Sequence, residues 1–302
     1  MSLRVLHIDL GRELRGGQRQ VLLLMKGLRE AGHECILLGR ENAPLWRAAV
    51  ESDLLVHDMK LWTVRKQSDH ADVVHVHDAR SHTVAALAVK REFVVSRRVA
   101  FPVSRTRISR WKYGRAARFL AVSQCAAEQL LAAGVPSEKV EVVFDGVEPV
   151  ARAAEWKTDY PAVALASADP GKGRDLVEQA AAVAGIPVHY SSDLEKDLRR
   201  ASMFVYITRS EGLGSAALFA MSMGVPVVAS RVGGLPEAIV DCESGILVAN
   251  EIAEIAKGMR RVVEDTAFTQ SLIAKARLRI EKLFSQERLV ERTLSAYRRV
   301  LT

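Results

Sequence analysis

Cysteine is scarce in this sequence: Cys35, Cys125 and Cys242 are the three, each far from the others. That spacing excludes a disulfide framework and a local zinc cluster, and reads as buried thiols in a reducing cytoplasm. No apolar run approaches the roughly 18 residues of a membrane-spanning helix. Acid at Asp9 and Glu13 arrives too early for a secretory leader, so none is expected. Low-complexity and collagen-like tracts are missing as well. Acidic residues are absent altogether between Phe93 and Ala127. The chain does have 302 residues, 49% hydrophobic and 26% charged, enough for two domains with real cores. Its net charge of +7 favours anionic partners without choosing among them.

Hydrophobic patterning alternates between strand and helix. Val5–Asp9 reads as a buried strand, GRELRGG as a loop, and Val21, Leu24, Met25 and Leu28 as one face of a helix. Cys35–Leu38 is the next strand. Strand-like runs recur at Leu54–His57, Val73–His77, Phe93–Val95, Phe119–Val122 and Val140–Val143, with helices at Ser81–Val89 and from a Ser123 cap to Ala133. Near-continuous Val/Ile/Leu strands imply parallel sheets covered on both faces. The rhythm breaks over Glu148–Tyr160, where a linker is expected. A second alternation follows: strands at Val163–Ala166, Val188–Tyr190, Phe204–Ile207, Val225–Ala229 and Gly245–Val248, and helices at Asp175–Val183, Leu194–Ala201, from Ser215 and from Pro236. Two helical stretches, Glu251–Phe284 and Gln286–Leu301, close the chain. Two doubly wound halves of this kind bind ligands at the C-terminal ends of their strands, here in a cleft.

Three strand-to-helix turns carry candidate chemistry. Gly16, Gly17 and Gln18 let a ligand approach backbone amides at a helix start, or simply make a tight turn. Lys172, between Gly171 and Gly173, suits a phosphate but equally a solvated surface. The turn Glu211-Gly212-Leu213-Gly214-Ser215 joins a carboxylate, which accepts hydroxyl hydrogen bonds, to amides that hold anions. The alternative for Glu211 is a salt bridge to Arg209. His75 and His77 alternate along a strand and are placed on opposite faces, so no metal is assigned. His75, His77 and Asp78 then mark the strand end facing the cleft, or are simply buried and satisfied.

The stretch ASMFVYITRSEGLGSAALFAMSMGVPVVASRVGGLPEAIVDCESGILV resembles the donor-site signature of the GT-B-fold glycosyltransferases of family 4 (group 1). GGQRQVLLLMKGLREAGHE, DVVHVHDARS, VSQCAAEQLLAAGVPSEKVEVVFDGVE and FSQERLVERTLSAYRRVL are similar to further segments of that family, in the same order. The resemblance implies two Rossmann-like domains facing a cleft: residues 1–150 on the acceptor side and 151–302 on the donor side, the last helix crossing back. It implies a retaining, metal-independent hexosyl or related transfer from a nucleotide-sugar, with no cofactor. Lys172 and Glu211 would be catalytic. Gly16, Gly17, Gln18, Ser167, Gly212, Leu213, Gly214, Ser215 and Phe219 would line the donor site.

The chain departs from the family pattern at several places. Phe219 stands where the family has a second Glu that holds ribose, and Ser167 where it has a phosphate-binding Arg. Ser96-Arg97-Arg98 replaces a family histidine segment, and a strand–helix step is expected to be missing between Ala184 and Ala201, shortening the second domain. The acid-free segment holds Arg97, Arg98, Arg105, Arg107, Arg110, Lys112, Arg115 and Arg118, so its counter-ions are expected from outside. Arg97, Arg98, Arg105, Arg107 and Arg110, with His77 and Asp78, are the acceptor-side candidates. They fit an anionic glycan or lipid of the cell envelope, such as lipopolysaccharide, and an anionic membrane surface. No nucleic-acid motif is present. The expected location is the cytoplasm, peripheral at the inner face of the membrane. Two other readings stay open: a non-catalytic GT-B binding protein, and a nucleotide-sugar epimerase.

Overall fold

A computed structural model describes residues 2–148, 150 and 156–301. The chain forms two compact units: one runs to Gly146 and takes in the C-terminal helix from Gln286, and the other is Val147–Ser285. Much of the linker expected at Glu148–Tyr160 (residues 149 and 151–155) lies outside the described residues.

In the first unit the order is β1 (Arg4–Ile8), α1 (Gly16–Glu30), β2 (Glu34–Gly39), α2 (Pro44–Glu51), β3 (Leu55–Asp58), α3 (Leu61–His70), β4 (Val73–Val76), α4 (Ala79–Ala88), β5 (Phe93–Arg97), α5 (Arg107–Gly114), β6 (Ala116–Ala121), α6 (Gln124–Ala132) and β7 (Val140–Val142). The seven strands pair in the order β3-β2-β1-β4-β5-β6-β7, all parallel. The order reverses between β1 and β4, and open sheets take ligands beside such a switch. Three helices escape the sequence pattern because they are short and bury few residues. α5 buries no residue, α2 buries Leu45 and Ala49, and α3 buries Thr63, Val64 and Ser68.

The C-terminal helix α13 (Gln286–Leu301) belongs to this unit because its apolar face completes the core. Leu289, Val290, Ala296 and Tyr297 pack with Val21, Leu24 and Leu28 of α1. Gly27 makes the approach possible: a Cβ there would meet Val290 Cγ2 at 2.6 Å. Gln286 Nε2 also donates to the Leu23 carbonyl at 3.1 Å.

The second unit runs β8 (Ala162–Leu165), α7 (Arg174–Ala184), β9 (Val188–Ser191), α8 (Leu194–Leu198), β10 (Met203–Tyr206), α9 (Ser215–Ser222), β11 (Val227–Ser230), α10 (Leu235–Ala238), β12 (Ile246–Val248), α11 (Ile252–Glu264) and α12 (Thr266–Leu283). Its parallel sheet has the order β12-β11-β10-β8-β9, with the switch between β8 and β10. The stretch Glu251–Phe284 is two helices rather than one. It breaks at Asp265, whose carboxylate accepts from Phe268 N at 3.0 Å and caps α12. Of the cysteines only Cys35 is buried; Cys125 is half-buried and Cys242 exposed, correcting the expectation of three buried thiols.

Candidate active site

The second unit brings two candidates together at its switch point. Lys172 follows β8 and Glu211 follows β10, and Lys172 Nζ lies 2.9 Å from Glu211 Oε2. The partner of Glu211 is therefore Lys172, not Arg209, whose side chain is exposed. Tyr206, the last residue of β10, also donates its hydroxyl to Glu211 Oε2, and Gly212 N donates to Oε1 at 3.1 Å. Lys172 Nζ is 3.4 Å from the Tyr206 hydroxyl. Burial first, and Glu211 second, push the Tyr206 phenol well above its ordinary pKa, so it stays a proton donor.

Backbone constraints fix this arrangement. The turn Pro170–Lys172 is pinned to the end of β10: Arg209 N donates to Gly171 O at 2.8 Å and Thr208 Oγ1 to the same carbonyl at 3.1 Å. Thr208 is held in turn by Ser230 Oγ, which accepts from Thr208 N at 2.9 Å, and by Asn250 Nδ2, which donates to Thr208 O at 2.9 Å. Gly214 caps α9 at φ +99, and among the described residues no side chain hydrogen-bonds to that helix start. Gly233 sits at φ +55, where a Cβ would stand 2.0 Å from Glu211 O. Gly233→Ala is accordingly expected to cost about 2–3 kcal/mol through strain and clash, lowering the urea midpoint. An unchanged midpoint would show that this loop yields freely. Ser230, Gly233 and Asn250 went unseen in the sequence; the Gly233-Gly234 pair was the available signal.

The other donor-side candidates differ in setting. Ser167 Oγ accepts from Asp169 N at 3.2 Å, so the hydroxyl serves the turn. Phe219 on α9 is half-buried. Leu213 is core, at 2% exposure.

The first unit gathers its candidates at the β1/β4 switch. Asp9, after β1, accepts from Gly11 N at 2.8 Å and from Gln18 Nε2 at 3.2 Å. Burial first, then Asp78, raises the Asp9 pKa. Asp78 caps α4, accepting from Arg80 N at 2.8 Å, and also from Leu10 N at 2.7 Å. A Cβ on Gly17 would lie 3.9 Å from Arg98 Cδ, which places that arginine at the start of α1; no side chain caps that helix. Arg98 pairs with Asp145 at 3.0 Å and donates to His77 Nδ1 at 3.2 Å.

His75 and His77 share one face of the chain, as residues two apart on a strand do; the expectation of opposite faces is corrected. Their ring centroids are 4.0 Å apart, and His7 of β1, in register with His75, completes a buried cluster. Ring nitrogens of the three lie within 4.8 Å of one another. A cation would have to displace existing partners there. His75 contacts Tyr297 OH at 2.7 Å and Ser96 Oγ at 2.8 Å, His7 contacts His77 at 2.9 Å, and Arg98 brings its own positive charge. Burial, with Arg98 nearby, holds His7 down to about 3 and His75 and His77 well below the usual range.

The acid-free segment divides into two groups. Arg97, Lys112 and Arg115 bond carbonyls of their own unit, while Arg98 and Arg118 have counter-ions in Asp145 and Glu141. Counter-ions from outside the segment were expected, and for Arg98 and Arg118 they come from the protein's own Asp145 and Glu141 rather than from an anionic partner. Arg105, Arg107 and Arg110 are exposed, and among the described residues nothing pairs with their side chains. Beside them in sequence, Phe101, Ile108 and Trp111 are 59%, 77% and 47% exposed.

Comparison with known proteins covers both units. The model described as Glycosyltransferase Family 4 matches residues 14–150, and that described as Glycosyl transferases group 1 matches residues 130–265. The D-inositol 3-phosphate glycosyltransferase of Geodermatophilus obscurus is 34% identical over 206 residues, 60% of this chain and 44% of the relative. Its namesake from a Nocardioides species is 36% identical over 115 residues, 38% of this chain and 25% of the relative. The chain thus spans less than half the length of these curated relatives. Among solved structures, HepE of Anabaena in complex with UDP and glucose superposes with a TM-score of 0.86 at 16% identity, covering 97% of this chain and 98% of that one. A glycosyltransferase from Rickettsia africae gives 0.84 at 16% identity, covering 100% and 99%. The shared fold is GT-B, with two Rossmann-like units.

Proposed function

Because the chain belongs to the group 1, family 4 glycosyltransferases, we propose that it moves a sugar from a nucleoside-diphosphate donor to an anionic acceptor, with retention at the anomeric carbon. The observation that carries this reading is the Lys172–Glu211 pair at 2.9 Å beside the β8/β10 switch. As the bond from the anomeric carbon to the diphosphate breaks, negative charge grows on the leaving phosphate and positive character on the sugar. Lys172 supplies the counter-charge to the phosphate without a resident metal. Glu211 accepts from sugar hydroxyls, and the uncapped amides after Gly214 receive donor oxygens. Gly16, Gly17 and Gln18 belong to the acceptor-side unit, residues 1–150 in this reading, and remain donor-site candidates, with Arg98 beside Gly17.

UDP is the first nucleotide to try, because HepE structures contain it. A phosphorylated or otherwise anionic acceptor, an envelope glycan or lipid, fits both the basic surface and the similarity to D-inositol 3-phosphate glycosyltransferases. Calorimetry with UDP, GDP, ADP and CMP tests the donor half. Saturable binding of one diphosphate that is lost in Lys172→Ala is the expected result, and no binding by any would sink the reading. A second reading, a non-catalytic binding protein, is favoured by the uncharged Phe219 and by Ser167, whose hydroxyl is committed to its own turn.

The exposed group on and before α5 is proposed to face an anionic membrane. Phe101, Ile108 and Trp111 offer apolar contact, and Arg105, Arg107 and Arg110 the charge. Replacing these three arginines by glutamine is expected to weaken binding to phosphatidylglycerol vesicles by about 3 kcal/mol, roughly 100-fold. UDP binding should be unchanged. Equal vesicle binding by both proteins would make this a merely solvated face.

A further inference from the structure

We infer that Tyr206 is a positioning residue of the donor site: its hydroxyl keeps Glu211 ionised and aimed when an incoming diphosphate draws Lys172 away. The inference rests on the donor-site reading above. Glu211 has three donors in the free protein, Lys172 Nζ and Tyr206 OH on Oε2 and Gly212 N on Oε1. An ionised carboxylate only accepts, so the phenol must donate.

The three donors are not equally held. The Lys172 side chain is 28% exposed and ends a flexible four-carbon stem. Tyr206 is 5% exposed, and its ring stacks on Phe204 at 5.5 Å and 19°. It also lies against Gly214, where a Cβ would be 3.5 Å from its ring. Lysine is therefore the partner that can move to a phosphate, and tyrosine the one that cannot. A diphosphate beside Glu211 adds negative charge while removing its cation, and both changes favour protonation of the carboxyl. A protonated Glu211 would no longer be a full acceptor for sugar hydroxyls. Tyr206, with Gly212 N, opposes that protonation. The residue was overlooked in the sequence because an aromatic at a strand end reads as core.

The test is calorimetry of UDP binding in buffers of different ionisation enthalpy, which counts protons taken up on binding. Wild type should take up almost none between pH 6 and 7. Tyr206→Phe, which keeps the ring, should bind UDP with uptake of a substantial fraction of one proton, and Tyr206→Phe with Glu211→Gln should lose that uptake. In turnover, the acid limb of kcat should move up by about one pH unit in Tyr206→Phe, while that of kcat/KM moves less, because Lys172 still guards Glu211 in the free enzyme. If Tyr206→Phe binds UDP without extra uptake, or loses kcat equally at every pH, the inference is wrong. Should that variant not fold, Tyr206→Met, which also lacks the hydroxyl, is put through the same proton count, and UDP binding without extra uptake overturns the inference. If wild type binds no nucleoside diphosphate, the donor-site reading itself fails, and Tyr206 falls with it.

Discussion

Glu211→Ala should lower kcat/KM for sugar transfer by about 100- to 1,000-fold while the protein stays folded. The size follows from removing one preorganised polar group that acts on charge in the transition state, roughly 3–4 kcal/mol. The fold survives because the side chain sits at a loop, 18% exposed, and Lys172 can turn to solvent. The loop backbone is held independently: Gly234 N donates to Glu211 O at 3.1 Å. The buried Tyr206 hydroxyl loses its acceptor, so stability should fall by about 1–3 kcal/mol, short of unfolding. Glu211→Gln separates charge from shape: it keeps the size but cannot offer a full charge to sugar hydroxyls, and it too should be impaired. Full turnover in either variant would mean the sugar is oriented by something else.

Lowering the pH from 7.5 to 5.5 should destabilise the protein by about 4 kcal/mol through three imidazoles held neutral in the fold, and His82, held down to about 4 by burial, adds in the same sense. His7, His75 and His77 all have folded pKa values depressed by burial and by neighbouring positive charge. The unfolded chain takes up protons on these rings as pH falls below about 6.5, and the folded chain does not. Their stability is thus complete above that pH and is lost as pH falls. Asp9 acts in the opposite sense, because its folded pKa is raised, but one carboxyl offsets only part of three rings. Urea unfolding at the two pH values provides the check. Coincident midpoints would show that these rings are protonated in the folded protein or accessible to water.

Much of the strand–helix alternation was legible because parallel strands covered on both faces are nearly all apolar. VLHI, VVHV and FVVS stand out on that ground alone. The helices that escaped notice, α2, α3 and α5, are short and bury few residues. The site was legible in part. Glycines at Gly173 and Gly214 sit at positive φ, and they flagged the turns that place Lys172 and Glu211. Pairing was not legible. That Lys172 meets Glu211, 39 positions away, follows from β8 and β10 being neighbours, which is a property of strand order and not of either segment. The same holds for His7: it joins His75 only through the β1–β4 register, so a strand read in isolation misses the cluster. Which acids pair with Arg98 and Arg118 was hidden for that reason too, since Asp145 and Glu141 come from beyond the segment.

The central claim is that Lys172 and Glu211 form a working donor site, and nucleotide release tests it most directly. The full chain would be incubated with a panel of UDP- and GDP-sugars and an anionic envelope lipid extract, and the freed nucleoside diphosphate quantified by mass spectrometry. The account predicts acceptor-dependent release from at least one donor by wild type, and a loss of about 100-fold or more in both Lys172→Ala and Glu211→Ala. Nucleotide-sugar binding with no release, or release that both variants match, would contradict it.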